Sequence, residues 1–393
     1  MTHSLNGRRI LFVAMPGSIH AARWIGQLAG LGWDVRVFAA TPTAVRPEFK
    51  EVSLYGVSRY RPPGLDPSTR LTGFWPLRRG AWHVGAPFRK TFAPALASLI
   101  RRFRPDVVHS LETQHAGYLT LEARKRLGRS FPTWIASNWG SDIHFFGRIP
   151  EHVEKIREVM GACDYLHAEC ERDIDLGRKF GFQGEVFGLF PCGAGFDLNA
   201  MRAFRQSGRT SARRTIVLKG QQGLFGRALV GLRALELCAD RLSGFRIAIP
   251  LATPDVKRGA KLLLRKAQIT VDVETERWPR DRVLRLHGSA RTSIVLGVTD
   301  AASTSMLEAM VMGSLPIQSC TACTDEWIAN GESGLVVPPE DPLAVAEAIT
   351  RALTDDELVD RAAEQNGRLA AERLDERVVR PQVVARYMQV LEA

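Results

Sequence analysis

The sequence predicts an α/β protein built from two doubly wound, mostly parallel sheets. Three observations lead there. Short, strongly apolar runs alternate with helical stretches along all 393 residues. The runs fall into two sets with a polar segment between them. The length also exceeds what a single core usually organises.

The first set of predicted strands is Ile10–Ala14, Asp34–Ala39, Asp106–Ser110, Thr133–Ser137, Tyr165–Ala168 and Glu185–Phe190. The second is Thr215–Lys219, Phe245–Ile249, Ile269–Val273, Ser293–Gly297, Leu315–Ile317 and Gly334–Val337. Runs this apolar suit parallel strands covered by helices on both faces, and strand–helix alternation predicts doubly wound sheets. Between the sets, Asn199–Arg214 is rich in Arg and Ser and contains Gly208, as expected of an exposed hinge. The predicted domains are 1–200, with a C-terminal helix over 377–393, and 201–376.

Hydrophobic residues make up 45% of the chain, enough to fill globular cores. No run reaches eighteen apolar residues, so no membrane-spanning helix is expected. The run Ile10–Met15 is too short for a signal peptide, and Pro16-Gly17 reads as a strand-to-loop transition. A cytoplasmic protein is expected. Six cysteines are scattered, and the Cys320-Thr-Ala-Cys323 pair has no second pair or histidine near it in sequence. Buried or incidental thiols are expected rather than a metal or redox centre. The net charge is +11, and residues 1–104 alone carry an excess of twelve positive charges. That region includes Arg61–Pro94, where Phe74, Trp75, Trp82, Phe88 and Phe92 stand among Arg and Pro residues. A basic, aromatic-bearing domain suits an anionic membrane surface or an anionic acceptor. Without a helix-turn-helix, zinc-finger or RNP pattern, nucleic acid is not expected as a partner.

The most informative segment runs from Thr299 to Asp341. Ala301-Ala302-Ser303-Thr304-Ser305 opens a predicted helix that carries Glu308 in its first turn and ends near Gly313. A small-residue loop feeding a helix N-terminus offers free N–H groups and the positive dipole end to a phosphate. A carboxylate one turn in can accept hydrogen bonds from ribose hydroxyls. Ser305-Met-Leu-Glu308 is also a capping box, in which the Glu merely serves a backbone N–H, and both readings stay open. Upstream, Lys219 and Arg227 flank a Gly-containing loop after the first strand of the second set, placed to neutralise a diphosphate. The first strand-to-helix junction, Met15-Pro16-Gly17-Ser18-Ile19-His20, is a candidate site without the G-x-G-x-x-G pattern of dinucleotide binders.

The order Asp300-x7-Glu308-Ala309-Met310, then Asp325-Glu326-Trp327-Ile328 and Gly334-Leu335-Val336-Val337-Pro338, resembles the donor site of the family 4 glycosyltransferases of the GT-B fold. Ser137-Asn138-Trp139-Gly140-Ser141-Asp142 resembles that family's His-Gly-x-Asp segment, with Trp139 where many members have His. Phe190-Pro-Cys-Gly193-Ala-Gly195-Phe196-Asp197 looks like the end of its first domain. The resemblance implies two Rossmann-like domains facing across a cleft, with the last helix crossing back to the first domain. It implies sugar transfer from a nucleotide-diphosphate donor to a glycan or lipid-linked acceptor with retention of configuration and no bound metal, in cell-surface polysaccharide assembly. In role, it implies Lys219, Arg227, Asp142 and Glu308 in catalysis. Gly17, Asp300, Ser303, Thr304, Ser305 and Glu326 would join Glu308 around the donor. His20, His109, His115 and Trp139 would lie on the acceptor side. No Asp-x-Asp motif is placed at a predicted strand end. A non-catalytic binding subunit and a nucleotide-sugar epimerase remain as alternatives.

Overall fold

A computed structural model describes residues 7–57, 61–72, 85–267, 270–273 and 278–393. The chain divides into two compact units, 1–194 with 379–393, and 195–378. Each is organised by one parallel sheet.

The strands of the first unit are β1 (Arg9–Ala14), β2 (Asp34–Ala39), β3 (Ser53–Tyr55), β4 (Arg70–Thr72), β5 (Val107–Leu111), β6 (Thr133–Ser137), β7 (Tyr165–Ala168) and β8 (Glu185–Leu189). They lie in the order β4-β3-β2-β1-β5-β6-β7-β8. The order reverses between β1 and β5, where β1 pairs β2 on one side (Ile10 opposite Val35) and β5 on the other (Ile10 opposite Val107). Ile10 through Ala14 are fully buried, as a central strand covered on both faces requires. Strands β3 and β4 are three residues each. Each has one central apolar residue, too short a pattern to be read as a strand.

The last helix, Glu376–Glu392, contributes Val379, Val383, Tyr387 and Val390 to the core of this unit beside Trp24, Ile25 and Phe187. Trp24 donates to the Tyr387 hydroxyl at 2.9 Å. A hydrogen-bond chain continues inward. Tyr387 meets His109 Nδ1 at 2.6 Å, His109 Nε2 meets Ser137 Oγ at 2.8 Å, and Ser137 meets His167 Nδ1 at 2.7 Å. His167 Nε2 ends the chain on the Phe190 carbonyl at 3.1 Å. That carbonyl can only accept, so the whole order is determined. His167 carries its proton on Nε2, Ser137 donates to His167, His109 donates from Nε2 to Ser137, and Tyr387 donates to His109. Both imidazoles are neutral. Burial holds His167 down at about 4 and pushes His109 well below the usual histidine range, with each other's charge as a second cause for His109.

The second unit has β9 (Thr215–Leu218), β10 (Arg246–Ile249), β11 (Thr270–Val273), β12 (Ala290–Val295), β13 (Leu315–Ser319) and β14 (Leu335–Val337), ordered β11-β10-β9-β12-β13-β14. Its switch point lies between β9 and β12, where Ile294 stands opposite Leu218. The helix Thr304–Val311 ends as predicted at Gly313, whose φ of +73° suits the residue after a helix.

The 199–214 segment, though largely exposed, belongs to the second unit rather than joining the two. It holds the helix Leu198–Arg202 and a 3-10 turn at Thr210–Ala212, and it packs onto the second unit. Thr210 donates to the Gly313 carbonyl at 2.8 Å, and Arg213 is only 1% exposed. The outgoing and returning chain segments pair instead at Phe196 and Asp375, through Phe196 N to Leu374 O (2.6 Å) and Glu376 N to Phe196 O (2.9 Å). A Cβ on Gly195 would stand 2.5 Å from the Glu376 Cα, so this approach requires glycine.

Of the basic, aromatic stretch, Phe74, Trp75, Arg78, Arg79 and Trp82, with the side chains of Phe88, Arg89 and Lys90, lie outside the described residues. Phe92 is a core residue, edge-on to Phe38 at 5.9 Å. No described helix is long and apolar enough to cross a membrane. Cys163 and Cys238 are buried thiols, pushed up by burial to about 12 and about 11.

Candidate active site

In open α/β sheets ligands meet the carboxyl ends of the strands, at the switch point. In the second unit that place is where β9 runs into its loop. Lys219 N donates to the Ile294 carbonyl (2.9 Å), and Gly220 passes so close to Ala252 that a Cβ would lie 2.6 Å from its Cα. The loop folds as a tight hairpin, with Gly223 N on Gly226 O, and it is laced to the end of β12 by Arg227 N to Leu296 O (3.0 Å) and Val298 N to Phe225 O (3.1 Å). Lys219 Nζ therefore stands 3.8 Å from Asp300 Oδ2. The structure brings these two predicted residues together. It turns Arg227 elsewhere: its guanidinium binds Glu340 at 2.6 Å and the Gly223 and Gly226 carbonyls at 2.6 and 3.1 Å.

Thr304 opens the next helix, with Ser303 at the N-cap position. The capping box does not form, because it would need Ser305 at the N-cap and Ser305 is already inside the helix. Glu308 lies in the second turn rather than the first. No side chain caps this N-terminus among the described residues, and Ser303 Oγ is buried without a partner. Thr304 and Ser305 are half-buried beside it. This helix end is thus a set of N–H donors with no acid in the first turn. Glu308 is 7% exposed, and Arg280 Nε approaches its Oε1 at 3.7 Å. Glu326 is half-buried in the 3-10 turn Thr324–Glu326, where its carbonyl accepts from Arg373 at 2.6 Å.

Sequence reading overlooked three residues of this unit. His287 sits fully buried on Ser293, which in turn bonds Ser314, and it is held down at about 4 by burial and then by the Lys219 charge. Arg280 and Glu340 are the partners just described. None of the three lies in a recognisable motif; only their long-range contacts reveal them.

In the first unit, Gly17 N donates to Thr43 Oγ1 at 3.0 Å, and a Cβ on Gly17 would come within 2.9 Å of that oxygen. His20 stands edge-on to Trp139 at 6.0 Å, and its Nδ1 lies 3.1 Å from where a Cβ on Gly193 would be. His109 is not there. It is the fully buried member of the chain ending at Tyr387, and so a core residue. His115 is surface-exposed and pairs with Glu112 at 3.1 Å.

Asp142 is 2% exposed, and its Oδ2 accepts from Thr113 N and Trp139 N, both at 2.9 Å. Through Oδ2 it ties the β5 and β6 loops together and holds Trp139 in place. Burial and then the neighbouring Glu112 raise its carboxyl well above the usual range. Three more acids lace these loops and were not singled out in the sequence. Glu112, held at φ +86°, accepts from the N–H groups of Gln114, His115 and Ala116 and opens the π-helical turn Thr113–Gly117. Asp173 receives Asn138 Nδ2 and Arg172 Nε, both at 2.8 Å. Glu169 accepts from Cys192 N at 2.7 Å and Gly140 N at 3.4 Å, and burial pushes it up to about 7.

Residues 17–172 match the glycosyl transferase 4-like domain, and residues 257–368 match the glycosyl transferases group 1. The chain belongs to the GT-B glycosyltransferases. No curated protein matches it in sequence. Solved structures similar to this glycosyltransferase share its fold at low identity. Sucrose-phosphate synthase from Thermosynechococcus elongatus is 15% identical over 98% of this chain and 100% of its own, with a TM-score of 0.70. Anabaena HepE, in complex with UDP-glucose, is 10% identical over 97% and 99%, at 0.69. The α,α-trehalose 6-phosphate synthase from Burkholderia multivorans is 12% identical over 98% and 99%, at 0.70.

Proposed function

We propose that this glycosyltransferase takes its sugar from a nucleotide-diphosphate donor held by the second unit and passes it, with retention, to a glycan or lipid-linked acceptor in polysaccharide assembly. The observation that carries the reading is the uncapped N-terminus of the 304–311 helix, with the buried Ser303 hydroxyl left without a partner and Glu308 one turn further in. Free N–H groups and a hydroxyl suit the diphosphate, and the carboxylate suits the ribose. That HepE is solved with UDP-glucose supports a donor of this class.

Breaking the sugar–phosphate bond builds negative charge on the diphosphate and positive charge on the anomeric carbon. Lys219 is the cation at the switch point, with Asp300 as its counter-ion before the donor arrives. It stabilises the leaving diphosphate where charge develops. Protein cations do this work in place of a metal ion. Retention proceeds by same-face attack, the acceptor hydroxyl giving its proton to the departing phosphate oxygen. His20 and Trp139 lie on the acceptor side. The basic first unit docks reversibly on anionic membrane at the cytoplasmic face, each Lys or Arg near the surface contributing about 1 kcal/mol.

Melting the purified protein with UDP, GDP, ADP and their sugars identifies the donor, and sugar-nucleotide turnover with and without EDTA tests the metal-free step. Stabilisation by none of them would remove the donor reading. Vesicle co-sedimentation tests the membrane: binding that requires anionic lipid and falls as salt rises is expected, and equal partitioning to neutral vesicles refutes it.

A further inference from the structure

The polar segment 202–214 holds Arg202, Arg205, Arg209, Arg213 and Arg214 and no acid. Two of these side chains converge on one point, the Met312-Gly313 peptide that follows the 304–311 helix. Arg213 donates from Nη1 to the Met312 carbonyl at 3.0 Å and the Ala290 carbonyl at 3.1 Å. Its Nε and Nη2 are buried and have no partner among the described residues. Arg205 lies over Gly313, its Nη2 only 2.7 Å from where a Cβ would be, so a side chain there would have to push the guanidinium aside. No described carboxylate or carbonyl accepts from the Arg205 guanidinium. The nearby Asp360 has both oxygens on Ser211, at 2.9 and 2.8 Å.

Two adjacent guanidinium groups, one fully buried and one half-buried, each lose water and repel the other, a cost that the carbonyl end of the helix offsets only in part. Burial and then the Arg205 charge lower the Arg213 guanidinium to about 10, against the opposing pull of Asp360. Unsatisfied N–H donors from planar guanidinium forks match a tetrahedral oxyanion better than a chloride or a single water.

We propose that Arg205 and Arg213 form a second anion site, for phosphate or the phosphoryl group of a phosphomonoester, at the C-terminal end of the 304–311 helix. It is separate from the donor site. The helix has eight residues, so its two ends are roughly 12 Å apart at 1.5 Å per residue. An anion here rests on the same helix that carries Glu308, and its binding is independent of whether the other end takes a nucleotide.

The test is calorimetric titration of the full chain with inorganic phosphate and, separately, with glycerol phosphate, at constant ionic strength set with chloride. Each titration is run with and without UDP. Saturable binding that persists with UDP present is expected. Arg205→Ala should weaken it at least about tenfold, the loss of a charged hydrogen bond. Arg209→Ala, an exposed neighbour in the same segment, should leave it unchanged. Glycerol phosphate binding as tightly as phosphate marks the phosphomonoester as a ligand; phosphate alone binding marks the free ion. Phosphate binding that UDP abolishes and Arg205→Ala spares belongs to the donor site and overturns the proposal, as does the absence of any binding. Arg213→Lys gives a second reading if folded: it keeps the charge but loses the fork, and it should also weaken phosphate.

Discussion

Replacing Glu308 with glutamine separates a ligand-binding carboxylate from a structural one. Glu308 is 7% exposed, and it forms an ion pair with Arg280 at 3.7 Å. Arg280 is 41% exposed, so that pair is screened and contributes at most about 1 kcal/mol. Glutamine fills the same volume, so no cavity forms. The expected loss of stability is therefore small, about 2–4 °C in melting temperature by the usual scaling for domains of this size. A charged hydrogen bond to ribose hydroxyls is worth about 1.5–3 kcal/mol, roughly ten- to a hundredfold in nucleotide affinity. Titration calorimetry with the nucleotide that stabilises the wild type, beside a thermal melt, measures both quantities on the same samples. Affinity reduced tenfold or more with a nearly unchanged melt supports the ribose contact. Unchanged affinity refutes it and leaves Glu308 a structural residue. Arg280→Ala is the companion variant: it removes the ion pair but keeps the carboxylate, so it should not reproduce the loss.

Lys219→Ala should lower turnover far more than it lowers the melting temperature, and normal turnover would exclude Lys219 from the leaving-group site. Glu169 is held at about 7 against an ordinary value of 4.5. The folded state therefore keeps a proton that the unfolded state gives up, and the group costs stability as pH rises from about 4.5 to 7, by about 1.4 kcal/mol per unit. Glu169→Gln removes that dependence, so its melting temperature should gain on the wild type across this window and run parallel above it; parallel profiles throughout would sink the assignment. His167 and His109 have the opposite sign. Their lowered values mean the unfolded state binds more protons, so their stabilisation is full above about 6.5 and declines as pH falls towards 4. Nitrogen-15 NMR should show both rings as neutral Nε2–H tautomers down to about pH 5, and titration near 6.5 would break the proposed hydrogen-bond order.

What could be read from the sequence was periodic or local. Ten of the twelve predicted strands agree with the observed ones to within one residue at both ends, because buried parallel strands are unbroken apolar runs. The exceptions show the rule: β12 begins three residues before its predicted start, at Ala290, because Arg291 and Thr292 read as polar yet are buried. Arg291 lies in the interior because its guanidinium reaches the Ala352 carbonyl at 2.7 Å and Asp356 at 2.6 Å, partners some sixty residues away. The helix bearing Glu308 and the loop bearing Lys219 were likewise legible, since each depends on a few adjacent residues.

What could not be read is what the long-range partners decide. His109, at a strand end, has the sequence context of a proton carrier. Tyr387, 278 residues away, makes it a core residue instead. Asp142 sits in a motif that invites a catalytic role, and the structure adds a second one, since its Oδ2 accepts from Thr113 and Trp139. Arg227 carries the expected charge, but Glu340 draws it aside. In each case the residue type was visible and its partner was not. A side chain's chemistry is fixed by what lies within 3 Å of it, and in a doubly wound fold those neighbours come from other strands' loops. The same reasoning separates Lys219 from Arg227 as leaving-group cations. Lys219 faces a half-exposed acid at 3.8 Å, beyond hydrogen-bond range, which an arriving diphosphate can outcompete. Arg227 is held by three short bonds, two of them to its own loop. Its position stabilises the hairpin that presents Lys219, so Arg227→Lys, which keeps the charge and loses the fork, should cost loop order as well as turnover.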